Sequence, residues 1–313
     1  MISDRKSDIF EGCNQSEAPL RIIELVQHLI SFTGQKDRVW KKYGKAIRGI
    51  VKSYFDGRPE SVCHDNGYVW SFKPGIALSW MNAYINGMPV TERTGYQVET
   101  NAFWYNAICF AIEMEEKYGA KDGDFVRRWT SIRELVRASF QPTFWNPDRG
   151  CLADYVDNGG QNRDIRPNQL YAIWVKYSPV DEELVPSIFK VVDSELRTAR
   201  GIRTLSPRDP KYKGVYEGTQ IERDLAYHQG CTRPFLLEPY VAVGIRLNGE
   251  SFIKKAEWLC EGFYDDLGKH GVGAFSELYD GDPPHEPHGA ISSALSTAGL
   301  LSVEYMLDKF KEA

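Results

Sequence analysis

Three loop segments concentrate side chains that could do chemistry: "RDIRPNQ" (163–169), "YEGTQIERDLAYHQG" (216–230) and "FSELYDGDPPHEPHG" (275–289). Each sets charged groups against aromatics and turn formers. That mixture suits a sugar, whose apolar ring faces stack on aromatics while amides and carboxylates fix its hydroxyls. A fourth segment, "SWMNAYINGMPV" (79–90), puts Asn82 beside Trp80 and Met81 where the chain leaves a Gly/Pro-rich loop. Taken singly, the first three segments also read as capped helix starts followed by solvated loops, with Asp224 and His228 at i, i+4 helix spacing. His285 and His288 lack the i, i+4 spacing and nearby glutamate of a zinc helix, so no metal is expected. There is no Gly-rich phosphate loop, no GxSxG elbow and no Cys/His pattern that spacing would support, so no cofactor is expected.

The composition sets bounds on the rest. The chain has 313 residues, 42% hydrophobic and 26% charged, with a formal net charge of −5 and a pI near 5.8. It has ample material for a core and gives no electrostatic reason to expect nucleic acid or an anionic membrane as partner. The N-terminal "MISDRKSDIF" has no apolar core of a secretory signal, and no apolar run approaches the ~20 residues of a membrane span. Six cysteines (Cys13, Cys63, Cys109, Cys151, Cys231, Cys260) are scattered without a CxxC pair. They read as reduced thiols, and the expected address is the cytoplasm. Eight Trp and 17 Tyr contribute much of a 13% aromatic fraction, many in loops beside Gly, Pro, Asn and Asp.

Periodicity predicts helical hairpins that position those loops. Apolar residues at i, i+3, i+4 and i+7 predict helices over 18–34 and 38–55, then 99–119 and 123–140. Further pairs are predicted over 167–178 and 182–196, with Ser178 and Asp181 as cap candidates, and over 233–249 and 250–271. A last helix covers 291–310, and "GYVWSF" predicts a short strand. The loops between, about 57–98, 142–166, 197–230 and 271–289, are long enough to carry function. With no linker or low-complexity stretch, residues 1–313 read as one all-α domain, an α/α toroid with its loops gathered over one end. A superhelix stays open, since no strict repeat is visible.

Taken in order, these segments resemble the amylo-α-1,6-glucosidase domain of glycogen debranching enzymes, especially the shorter bacterial and archaeal forms. The resemblance runs through "SEAPL" (16–20), "SWMNA" and "GYQVETNAFWYNA" (79–107), "LADYVD" (152–157) and "RPNQLYA" (166–172). It continues in "RTLSPRDPKYKGVYEGTQIERDLAYHQG" (203–230) and "SELYDGDPPH" (276–285). It implies an (α/α)6 barrel that removes an α-1,6-linked glucose from a glycogen- or starch-derived chain with inversion. That reaction uses an acid to protonate the leaving oxygen and a base to activate water, in general about 6.5–9.5 Å apart. By resemblance the base is Glu277, and the acid position, the residue after "TWM", is Asn82. An amide has no proton to give. Losing a general acid typically costs ~10²–10⁴-fold. The resemblance also places Trp80, Glu99, Trp104, Tyr105 and Asn106 around the sugar, with Arg166, Asn168 and Gln169 opposite. Asp224, Tyr227, His228 and Gln229 would approach glucose hydroxyls, with Asp280 and Asp282 in the loop of Glu277. Core packing is the other reading of Trp104 and Tyr105, at least one of which should be core, and helix capping that of Asn106 and Asn168.

Other departures accompany Asn82. Where the family has "DAPLW", "TVWPW" and "QAWS", this chain has "EAPLR", "CTRPF" and "SALS", so Arg21, Arg233 and Leu295 replace aromatics. The family's first helix pair, with its "WGRD" element, and its N-terminal sugar-binding domain are not represented. About nine helices are predicted where the barrel has twelve, which would leave an apolar flank for a second copy or a partner chain. A fragment, a truncated gene product and an engineered Asn82 are the bland explanations; a natural degenerate member also accounts for Arg21, Arg233 and Leu295. Three functions follow: an α-glucan hydrolase with impaired turnover, an α-glucan-binding pseudoenzyme, or an epimerase or isomerase on the same barrel. The last needs His228 and His288 facing each other as acid and base.

Overall fold

The computed structural model describes residues 15–120 and 122–312. Cys13 and the N-terminal stretch read above lie outside the described residues. Among the described residues two compact units emerge: those up to 144, with 155–162 and 175–179, form one, and 145–154, 163–174 and those from 180 onward form the other. Ten α-helices, two 3₁₀ turns and fourteen short strands make up the described residues.

The first unit is built on four helices, α1 (Ala18–Thr33), α2 (Lys36–Asp56), α3 (Val98–Tyr118) and α4 (Gly123–Phe144). Helix α1 ends where predicted, at Gly34, whose φ of 67° is a left-handed cap. Helix α3 packs against α1, α2 and α4, so it is buried on nearly every side. That is why Trp104 and Tyr105 are both buried although they point in different directions. Outward, α1 exposes Ile22, Leu25, Leu29 and Phe32. The long loop between α2 and α3 folds into hairpins: β1 (Ser61–Cys63) with β2 (Val69–Ser71), and β3 (Tyr84–Ile85) with β4 (Met88–Pro89). Strand β2 falls inside "GYVWSF". β5 (Tyr96–Gln97) pairs with β8 (Tyr155–Asp157), which pairs with β9 (Gly160–Gln161). Only a glycine fits at residue 95, where φ is +110° and a Cβ would stand 2.4 Å from the Val156 carbonyl oxygen.

The second unit holds β6 (Trp145–Asn146), β7 (Cys151–Leu152), α5 (Gln169–Trp174), α6 (Val185–Glu195), α7 (Gln220–Ala226), α8 (Leu237–Asn248), α9 (Glu250–Tyr264) and α10 (Ala294–Glu312). Helix α8 packs against α5, α6, α9 and α10. A five-stranded antiparallel meander runs through it: β10 (Arg197–Thr198), β11 (Gly201–Arg203), β12 (Thr232–Arg233), β13 (Leu278–Tyr279) and β14 (Pro287–His288).

Some predicted helices end elsewhere. The segment 167–178 is helical only over α5. Asp181 makes no cap hydrogen bond and instead precedes a 3₁₀ turn, Glu182–Leu184, before α6 begins at Val185 with Pro186 in its first turn. Residue 233 ends a strand rather than opening a helix, because Pro234 starts a 3₁₀ turn, Pro234–Leu236, ahead of α8. Helix α7 is the capped helix start that segment 216–230 also allowed, inside a stretch otherwise read as a long loop. A capping box starts it: the Thr219 hydroxyl accepts from Glu222 N–H while the Glu222 carboxylate accepts from Thr219 N–H. The described cysteines, Cys63, Cys109, Cys151, Cys231 and Cys260, are free thiols. Among the described residues no helix is long and apolar enough to cross a membrane.

Candidate active site

In the second unit the meander builds a carboxylate site around Glu277. The register that sets Thr232 against Tyr279 brings Arg233 alongside the start of β13. Glu277 Oε1 accepts from Arg233 Nη1 at 3.0 Å and from the Tyr227 hydroxyl. Its Oε2 accepts from Ala290 N–H at 3.0 Å. Gly289 makes room for that contact: its φ is +73°, and a Cβ there would lie 2.7 Å from Oε2. The Arg233 guanidinium also lies 4.1 Å over the Tyr227 ring and donates through Nη2 to the Tyr227 carbonyl, while its Nε is buried without a hydrogen-bond partner. Burial pushes the Glu277 carboxyl up. Hydrogen bonds from Tyr227 and Ala290, with the Arg233 charge, outweigh that and hold it below its ordinary value. Glu277 is therefore ionised at neutral pH.

A second cluster in this unit is centred on Arg166, only 3% exposed. Its Nη1 donates to the carbonyls of Thr204 and His228, and its Nη2 to Gln229 Oε1 at 2.8 Å and Asp164 Oδ2 at 3.3 Å. Asn168 donates to Asp154 Oδ1 at 2.8 Å, and Gln169 accepts from Leu152 N–H while donating to the Arg166 carbonyl. Arg166, Asn168, Gln169, His228 and Gln229 are thus joined through one buried network with Asp154 and Asp164. Asp280 accepts from Tyr216 N–H at 2.7 Å and lies 3.1 Å from His288 Nε2, and Asp282 accepts from the Tyr212 hydroxyl. Asp224 on α7 accepts from Gln220 within its own helix, so the i, i+4 partner it takes is not His228.

Burial, Arg233 and Arg166 hold the His228 imidazole well below its ordinary pKa. It is a neutral ring packed on Tyr227, and His288 packs on Tyr216. That weighs against His228 as the acid of a histidine pair, because a ring so hard to protonate carries no proton to give near neutral pH.

The first unit carries the other sequence-derived candidates. Asn82 is exposed in the loop between β2 and β3, while Met81 beside it is fully buried. Trp80 N–H donates to Glu17 Oε1 at 3.1 Å. Glu99, fully buried, takes a two-point ion pair from Arg93, one bond at 2.7 Å. The charges of Glu99 and Arg93 act on Glu17, which joins the two pairs into one cluster. Trp104 and Asn106 do not join it. Trp104 donates to the Gly67 carbonyl at 2.9 Å and packs edge-on against Trp129. Asn106 trades two hydrogen bonds with Gln27 and accepts from Tyr177 N–H. Both are core groups, and Tyr105 is 9% exposed.

Sequence reasoning missed three partners. Arg233 was visible only as a lost aromatic, because its contact with Glu277 spans 44 residues. Asp154 stood in the quoted "LADYVD" unassigned. Glu17 stood in "SEAPL", and no local signal marks a carboxyl that the fold will bury.

A family model described as amylo-alpha-1,6-glucosidase matches residues 5–302. The chain belongs to the amylo-alpha-1,6-glucosidase family. It is also similar to a Saccharomyces cerevisiae protein named glycogen debranching enzyme, at 27% identity over 179 residues, covering 46% of this chain and 12% of that protein. The chain thus spans a small part of that relative's length. Among solved structures, the neutral trehalase of Saccharomyces cerevisiae matches with a TM-score of 0.51 and 12% identity, over 70% of this chain and 39% of that one. At that identity the likeness bears on the fold alone, and the fold class is all-α, of the (α/α)6 six-hairpin glycosidase type. This amylo-alpha-1,6-glucosidase family member is a glycoside hydrolase-like domain related to glycogen debranching.

Proposed function

We propose that this family member takes an α-glucan or branched maltooligosaccharide and hydrolyses its α-1,6-linked glucose with inversion, slowly, because residue 82 is an amide. The observation that carries the proposal is Glu277, a carboxylate held ionised by Tyr227, Ala290 and Arg233. A charged carboxylate is the state a base needs to take a proton from water. Tyr227, Asp280, Asp282 and the Arg166–Asn168–Gln169–His228–Gln229 network are assigned to sugar recognition from the family pattern, as are Trp80 and Glu99. Asn82 stands at the acid position and cannot donate to a departing oxygen. The proposed address is the cytoplasm. A second copy or a partner chain covers the apolar face of α1 in this reading.

One observation favours a second reading, binding of α-glucan without turnover. Arg233, where the family carries tryptophan, pairs directly with Glu277 and stabilises its charged form, which makes it a weaker base. Glucose release from a singly α-1,6-branched maltooligosaccharide separates the two. The hydrolase reading expects slow release, faster in Asn82→Asp and abolished in Glu277→Gln. No release from the protein or from Asn82→Asp, with oligosaccharide still bound, would establish the binding reading instead.

A further inference from the structure

A cavity of about 630 Å³ lies wholly within the first unit, lined by α2, the end of α3 and the start of α4. That is the size of a small-molecule site. Helices α2 and α4 both pack on α3, and the cavity opens where they diverge over its C-terminal turns. Glu115 in the lining follows Glu99 by sixteen residues, or ~24 Å along α3. The cavity therefore stands apart from Glu99, and the reading above gives it no task.

Its floor is aromatic and its rim cationic. Trp40 of α2 and Trp129 of α4 line it and are almost wholly buried, with Phe125 packed on Trp129. Arg48 lies 4.6 Å over the Phe125 ring and is already neutralised, by Glu115 at 3.2 Å and Asp122 at 2.8 Å. The third acid of the lining, Asp124, pairs with Arg127. Lys41, Lys45 and Lys52 follow one stripe of α2, and Arg128 stands on α4. Lys41 and Lys52 have exposed i, i+4 partners, Asp37 and Asp56, and such pairs hold a lysine weakly. Among the described residues neither Lys45 nor Arg128 has a carboxylate partner, and Arg128 lies over the Phe55 ring. Five cations thus face three acids around this cavity, in a chain whose net charge is −5. Gly49 is an independent observation. It falls between Lys45 and Lys52 on the same stripe, inside a helix that glycine weakens relative to alanine. Packing explains Gly44, where a Cβ would stand 2.9 Å from the Trp40 ring, whereas a Cβ at Gly49 would meet nothing within 4 Å. That glycine weakens α2 and keeps the mouth of the cavity clear.

We propose that this cavity binds a phosphomonoester carried on a ring, of the size of a hexose or nucleoside monophosphate. Lys45 and Arg128, on the α2 and α4 walls, hold the phosphate, and the ring lies toward Trp40 and Trp129. At pH 7 such an ester is largely a dianion, which two otherwise unpaired cations can share. The apolar face of the ring covers the indoles. The site does not depend on the hydrolase reading.

The test is calorimetric titration of the full chain with glucose 6-phosphate, adenosine monophosphate and inorganic phosphate, with thermal unfolding in parallel. At least one ester should bind and raise Tm, and the tighter of the two identifies the ring. Inorganic phosphate, which lacks the ring, should bind ~10-fold or more weakly. Lys45→Glu, at an exposed position, and Gly49→Glu should each weaken the ester ~10-fold or more. Gly49→Glu should unfold no earlier than the parent protein, because it removes a helical glycine, so its weaker binding reports the site and not a damaged fold. Glucose, which lacks the charge, should not displace the ester. Displacement by glucose would assign the ester to a sugar site and overturn the proposal. So would absence of binding by both esters, or unchanged affinity in either variant. Inorganic phosphate binding as tightly as the esters would mean an adventitious ion only, and would overturn it as well.

Discussion

Arg233→Leu removes the guanidinium that pairs with Glu277 while keeping apolar bulk over the Tyr227 ring. Two effects oppose each other. The variant no longer buries a guanidinium whose Nε has no partner, which favours it. It loses the 3.0 Å bond to the Glu277 carboxylate and the bond to the Tyr227 carbonyl. A hydrogen bond to a charged group is worth about 1.5–3 kcal/mol. The low end applies, because Glu277 keeps its bonds from Tyr227 and Ala290 and its side chain is 28% exposed. The net loss near pH 7 is about 2 kcal/mol, or roughly 4–8 °C of Tm for a cooperative unit of this size. Its pH dependence follows from the depressed Glu277 carboxyl. A carboxyl with a lowered folded-state pKa stabilises above its ordinary value of 4.5 and loses that contribution as pH falls through the folded value. Urea denaturation of both proteins near pH 7 and near pH 3.5 should therefore show a gap that narrows in acid. Equal stability near pH 7, or a gap that ignores pH, would refute the ion-pair argument and leave packing as the cause.

Glu17 gives the opposite sign. Its folded-state value of about 7 stands above the ordinary 4.5, so its contribution is full below 4.5 and lost as pH rises through about 7. That loss amounts to about 3 kcal/mol, and urea titrations of Glu17→Gln should show a flatter stability profile over that range. Gly289→Ala forces a side chain onto a φ of +73° and a Cβ to within 2.7 Å of Glu277 Oε2, so it should cost about 1–2 kcal/mol and displace the Glu277 carboxylate. Calorimetry, with α-glucosyl fluoride turnover, checks both effects. Trp104→Ala empties a fully buried site and should cost about 3–5 kcal/mol in urea unfolding. Glucan affinity per folded molecule should stay unchanged in that variant; lost affinity at full stability would return Trp104 to the sugar site.

The sequence made the long helices legible because burial writes a 3.6-residue period. Helices α1, α2, α3 and α4 follow it, and Gly34 ends α1 as its lack of a side chain suggests. Beyond β2, inside "GYVWSF", the strands were not legible, since most are two residues long and such a length holds no alternation. Helix α7 carries its signal in the Thr219–Glu222 capping box rather than in an apolar stripe. At the site, loop composition pointed to Glu277, Tyr227 and the Arg166 network, which the structure gathers within the second unit. The Arg233–Glu277 bond depends on a strand pairing that joins distant segments. The state of Glu17 depends on burial and on Glu99, more than 80 residues away in sequence, and neither is written locally.

The proposed function turns on residue 82, an amide at the position where the family pattern has the general acid. The most direct test is glucose release from a singly α-1,6-branched maltooligosaccharide by the protein and by Asn82→Asp. The account predicts slow release from the protein and a rise of ~10-fold or more in the variant, with Glu277→Gln silent in both backgrounds. Equal rates with and without the aspartate would contradict it, as would release that survives the loss of Glu277.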